Sequence, residues 1–233
     1  MRPGRATGDR NEATRPTAER PQMSENPHAS LHSVSVVVTA QFHNPSILNP
    51  DFLASREIVP GDWAVAETLT TPPVSVVKYE NGVEWSVDQS RLTVAEKNGP
   101  GFGDSYRVHN LVIAYLQRLP HVPYRSLGLN CLVSILQADP RRWMIERFGA
   151  GWLRDEPTVL GMTPKLALDA GDAVCHVSVA DAPKDGKRLV LDCNMHHEGP
   201  LDVDGMCAAI ERWPERQTFI RSALAMLIGS EQT

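Results

Sequence analysis

Between residues 31 and 42 the chain alternates. Val34, Val36, Val38, Ala40 and Phe42 fall on one side of an extended backbone, and Ser33, Ser35, Thr39 and Gln41 on the other. A period of two over a dozen residues fits a half-buried β-strand and no amphipathic helix. Residues 63–69 and 74–79 read as the next strands, separated by Thr71-Pro72-Pro73. Val83, Trp85 and Val87 then alternate with Glu84, Ser86 and Asp88, and a shorter strand holds Leu92 and Val94. Asn81-Gly82 predicts a type I′ hairpin turn with positive φ at both residues. Strands joined this tightly pair antiparallel.

Helical spacing enters only between these groups. After the glycine-rich break at residues 99–103, Asp104 is the expected N-cap of a helix carrying Val108, Leu111, Val112, Tyr115, Leu116 and Leu119, stopped by Pro120. Residues 124–136 predict a long strand crossing the sheet centre. Asp139 as N-cap and Pro140 at N1 open a short helix that Gly149 stops. Strands resume at 165–169, 174–179 and 188–195, the last two joined through Asp185-Gly186, and the chain closes with helices at 204–212 and from Pro214 at N1 to residue 228. Two Asn-Pro steps, Asn44-Pro45 and Asn49-Pro50, mark the stretch after the first strand as a shaped loop. No regular βαβ alternation is present, which predicts an α+β fold: a mostly antiparallel sheet with helices packed on one face.

Composition sets the limits of function. No Val, Ile, Leu, Phe, Trp, Tyr or Cys occurs in residues 1–22, whose five arginines alternate with Pro, Thr, Ala and Glu. Such a segment cannot bury enough apolar surface to offset its ordering entropy, so residues 1–30 are expected to form a disordered tail and residues 31–230 a single domain. The acids and prolines of the tail argue against an amphipathic transit peptide. No apolar run reaches the eighteen or so residues of a membrane helix, which predicts no membrane partner. The net charge of −5 argues against nucleic acid. Cys131, Cys175, Cys193 and Cys207 show no CxxC pairing and no signal peptide precedes them, so they read as reduced, mostly buried thiols of a cytoplasmic protein.

Three groups of residues invite a chemical reading. Asp192, Cys193, His196, His197 and Glu198 are zinc-type ligands close in sequence, and a hairpin would bring His176 beside Cys193 or His196. Adjacent side chains of a strand point to opposite faces, however, and no HxH, HExxH or CxxC spacing is present. The expectation is therefore no cofactor and no stoichiometric zinc. A catalytic thiol is not favoured, because Cys193 shares a face with Leu189 and Leu191. Around the short helix, Arg141, Arg142, Arg147 and Arg154 surround Trp143, Phe148 and Trp152, a mixture suited either to a solvated helix face or to a protein interface. The last helix carries Phe219, Ile220, Ala223, Leu224, Met226, Leu227 and Ile228, more than a single apolar stripe.

The order of elements supports a resemblance. The first strand leading into Asn44-Pro45, the strand Tyr124-Arg125-Ser126-Leu127-Gly128-Leu129-Asn130, the late strand Leu191-Asp192-Cys193-Asn194 and the closing helices resemble an uncharacterised, sporadically distributed bacterial family of α+β proteins. Arg125 and Gly128 are three apart here, where that family has them two apart. The resemblance implies a fold and a bacterial origin, and carries no reaction and no functional residues.

These readings together predict a non-enzymatic protein that binds another protein or itself, as an accessory or regulatory component of a larger bacterial system. Its candidate interface is Arg141, Arg142, Trp143, Trp152, Phe219 and Leu227. The alternative is a hydrolase or transferase whose polar site gathers His43, Asn44, Asp192, His196 and Glu198 from distant loops.

Overall fold

The alternating segments pair into one nine-stranded sheet in a computed structural model that describes residues 29–97, 106–149, 161–182, 186–199 and 201–228. The strands are β1 (Ala29–Ala40), β2 (Val65–Thr70), β3 (Val74–Tyr79), β4 (Val83–Asp88), β5 (Arg91–Lys97), β6 (Tyr124–Leu136), β7 (Lys165–Asp169), β8 (Val174–Asp181) and β9 (Arg188–His197). Their order is β2-β3-β4-β5-β1-β6-β9-β8-β7, and every pairing is antiparallel. The helices are α1 (Pro50–Ser55), α2 (Arg107–Arg118), α3 (Pro140–Phe148), α4 (Val203–Glu211) and α5 (Trp213–Ile228). The fold class is α+β. The expected tail at residues 1–30 falls almost wholly outside the described residues, and β1 already begins at Ala29.

Alternation decides what each strand buries. Val34, Val36 and Val38 of β1, Leu127, Leu129, Cys131 and Val133 of β6, and Leu189, Leu191, Cys193 and Met195 of β9 form one core with Val108, Val112, Tyr115 and Leu116 of α2. Met206 and Ile210 of α4 and Ile220 and Leu224 of α5 belong to the same core. Each such side chain contributes roughly 1.5–3 kcal/mol relative to an exposed one, which is why register is fixed: a one-residue slip would turn the whole set outward. The other parity, including half-buried Ser35, Asn130 and Asn194 and exposed His176, forms an outer face.

Several local expectations are corrected. Phe42 does not continue the buried stripe, because β1 ends at Ala40 and Phe42 is exposed. Asn81-Gly82 is not a type I′ turn. Gly82 alone has positive φ (+88°), Tyr79 accepts from the Gly82 N–H (3.1 Å), and the loop between β3 and β4 has three residues, the pattern of a turn followed by a glycine bulge. The Asn81 side chain instead accepts from the Val83 N–H at 3.1 Å.

Asp104, the expected N-cap of α2, lies outside the described residues. The cap position is Tyr106, which makes no side-chain cap bond, and the end of the helix is satisfied from another strand: the Arg107 N–H donates to Glu96 Oε2 at 3.0 Å and its Nε–H to Glu96 Oε1 at 2.8 Å. Pro214 sits one residue inside α5, which starts at Trp213. Gly149 ends α3 in an extended conformation, φ −75°, without a left-handed cap.

The loop after β1 holds unexpected order. Asn44 and Asn49 each accept a backbone N–H, from Ser46 (3.1 Å) and Phe52 (2.8 Å), and so cap a 3₁₀ turn (Pro45–Ile47) and α1. The Asn-Pro steps are thus two N-cap–N1 pairs rather than breakers.

Candidate functional site

α3 and the C-terminal end of α5 are joined by a hydrogen bond. α3 is capped as expected: Asp139 Oδ1 accepts from the Arg142 N–H at 2.9 Å with Pro140 at N1, and Met144 is turned fully into the core. That rotation leaves Arg141 and Arg142 exposed and Trp143 half-buried, its ring edge-on to Phe148 at 5.8 Å. Arg142 donates to Glu146 one turn on, at 2.8 Å, and an open depression of about 760 Å³ lies along Asp139, Arg141, Arg142, Ile145 and Glu146. Arg147 reaches across to donate to the Met226 carbonyl at 2.8 Å. An orphan carbonyl near the end of α5 is therefore satisfied by a cation of α3, which favours the negative end of a helix dipole.

α5 buries Trp213, Ile220, Ala223 and Leu224, keeps Phe219 and Leu227 half-buried, and leaves Met226 70% exposed. The inner side of the helix is not purely apolar: Arg216 and Gln217 are buried. Arg216 pairs with Asp172 and donates to the Ala170 carbonyl at 3.0 Å, tying α5 to the β7–β8 turn. Burial alone would raise the Asp172 carboxyl, but the bond from Arg216, with Arg212 beside it, holds it below the usual carboxylate range. The Arg141, Arg142, Trp143, Phe219 and Leu227 set is thus carried on two helices in contact. Trp152 and Arg154 lie outside the described residues.

The polar set does not converge. His43 is 1% exposed and packs 6.1 Å from the Tyr124 ring, on the core side of the sheet, and burial lowers its pKa. Asp192 and His196 are on the outer face, and Glu198 is exposed just past the end of β9. Asn44 is used as a cap. The two halves of the expected site stay apart, because His43 is buried against the core residue Tyr124 beyond the end of β1, whereas Asp192 and His196 lie on the outward parity of β9.

The same parity splits the zinc-type run. Cys193 and His197 are buried, whereas Asp192 is exposed and His196 half-buried. Among the described residues no three His, Cys, Asp or Glu side chains are grouped as metal ligands. The four cysteines are buried and free. A hydrogen bond with Cys193 and burial raise the Cys131 thiol, and burial pushes the Cys175 thiol up to about 12. Neither is a nucleophile at neutral pH.

One outer-face grouping was missed by the reading from sequence. Asn194 donates to Asn130, and Asn130 to Ser35 Oγ at 3.3 Å, an amide chain across β9, β6 and β1. A Cβ at Gly128 would lie 3.1 Å from Asn194 Nδ2, so the missing side chain at 128 is what admits the pair. The signal was the single glycine inside an otherwise apolar strand. Compared with known proteins, the chain matches no family model and no curated protein.

Proposed function

We propose that the chain is a non-enzymatic, cytoplasmic protein-binding component of a bacterial multi-protein system, with its helices gathered on the core face of the sheet and α3 and α5 as the docking surface. The observation that carries this reading is Met226, a large apolar side chain left 70% exposed at the point where Arg147 joins the two helices. The same two helices carry half-buried Trp143, Phe219 and Leu227 and the exposed side chains of Arg141 and Arg142. An aromatic and aliphatic centre with an arginine rim is the composition enriched at protein interfaces. No helix among the described residues is long and apolar enough to cross a membrane.

Light scattering across a concentration series, on the wild type and on Leu227→Glu and Met226→Glu, separates self-association from binding to another protein. A wild-type dimer abolished by either variant identifies the partner as a second copy. A wild type that stays monomeric, together with a cross-linked neighbour lost in Trp143→Ala and Met226→Glu, identifies a different protein. A monomer with no neighbour sensitive to these variants removes the reading.

A further inference from the structure

Two imidazoles stand side by side on the outer face. β8 and β9 pair so that His176 lies opposite Asn194 and Val174 opposite His196. His176 and His196 are therefore diagonal neighbours on adjacent strands, within reach of each other's side chains. Their ring centroids are 6.3 Å apart and the ring planes are inclined by 51°. His176 is exposed and His196 half-buried, so the pair fronts solvent. Gly128, opposite His196 on β6, contributes no side chain to crowd it, and Asn194, directly opposite His176, is anchored by its bond to Asn130.

We propose that His176 and His196 form a two-histidine chelate for a divalent late first-row transition ion, with solvent filling the remaining coordination positions. Imidazole nitrogen suits Cu²⁺, Ni²⁺ and Zn²⁺, and copper binds most tightly in that series. At metal–nitrogen distances of about 2.0–2.1 Å, two imidazoles on one ion bring their centroids to about 5 Å. Closure asks for about 1 Å of approach, which side-chain torsions of the exposed His176 supply while the strand pairing holds both backbones in place. Asp192 shares the face but stands four residues along β9 from His196, about 13 Å away, beyond reach of the same ion. Two protein donors make an exchangeable site rather than a closed structural centre, so the ion is not retained stoichiometrically through purification.

The test is calorimetric titration of the full-length chain with Cu²⁺ and with Ni²⁺, paired with the thermal midpoint, since an ion bound by the folded state alone raises it. Binding is expected to weaken about a hundredfold in His176→Gln and equally in His196→Gln, because the second imidazole acts through its effective concentration. The double variant, which keeps neither imidazole, is expected to bind no more tightly than the rest of the surface does, and His121→Gln, in the exposed turn after α2, to bind as the wild type does. Single variants that each lose one of two equivalents while the remaining one keeps its wild-type affinity would mean two separate one-histidine sites and overturn the chelate, as would binding unaffected by either change. Electron paramagnetic resonance of the copper form gives an independent readout: two imidazole nitrogens in the wild type and one in each single variant, whereas a wild type with one overturns the proposal. Equal midpoints of all variants without metal establish that the losses are not losses of fold.

Discussion

His109, on the inner side of α2, is 7% exposed and stacks on Trp213 at 4.7 Å. Burial lowers its pKa to about 4, against a smaller raising effect from a backbone hydrogen bond at Tyr106. In the unfolded chain the same imidazole titrates near its ordinary value of about 6.5. Between those two pH values the unfolded state binds more protons, so stability declines as the pH falls through that window and is unaffected by this group above it. The loss is about 3 kcal/mol for His109. His43 and His197, lowered chiefly by burial, act in the same direction. His109→Phe keeps a ring against Trp213 and should flatten the acid side of a stability-versus-pH curve; a curve parallel to the wild type's would dismiss the assignment. A second residue-scale prediction concerns Gly82. With φ at +88° and a would-be Cβ 2.9 Å from the Lys97 carbonyl oxygen, Gly82→Val should cost about 2 kcal/mol in denaturant titration, and a neutral result would mean that the loop relaxes. The sequence placed a hairpin at this glycine, but not its type, because the third loop residue is set by where Tyr79 and Val83 leave the ladder.

At the scale of elements, α2 owes its start to a strand. Glu96 at the end of β5 is buried and accepts from both the backbone and the guanidinium of Arg107, which also donates to the Asn81 carbonyl at 2.9 Å and lies 5.3 Å from the Trp63 ring. Removing the cation leaves a buried carboxylate without its partner, whereas removing the carboxylate leaves a partly exposed arginine that water can solvate. Arg107→Met should therefore destabilise by about 3 kcal/mol, and by more than Glu96→Gln. Chemical unfolding of the two variants tests the order, and the reverse ranking would show that the capping bond outweighs the ion pair. Capping by Asp104 was the natural reading because sequence offers only local candidates, and Glu96 becomes one only when β5 delivers it to the helix end. α1 and the 3₁₀ turn teach the complementary lesson: Asn44-Pro45 and Asn49-Pro50 did carry a readable signal, an N-cap followed by proline at N1, hidden by the weight given to proline as a breaker.

For the whole molecule, the core should not depend on residues 1–22. No side chain there is a large apolar group, and their removal takes five basic and three acidic residues from the chain. The thermal midpoint of the shortened chain should match that of the full one, and a drop of several degrees, about 1–2 kcal/mol for a chain of this size, would show that the segment docks. Sequence by itself determined the class of fold and the positions of most strands, because a period of two in Val34 to Ala40, Val83 to Val87 and Leu189 to Met195 admits one secondary structure and one buried side. It also determined that Cys193 and His197 would part from Asp192 and His196, since neighbouring side chains of a strand cannot share a face. It did not determine that β1 lies between β5 and β6 as the central strand of the nine, since strand order depends on which edges meet during collapse and not on any one strand's pattern. That order decided the sites. It joined Asn194 to Asn130 and set His176 beside His196. Arg147 met Met226 for the same reason: a contact across 79 residues is made by packing, where periodicity along the chain has nothing to say.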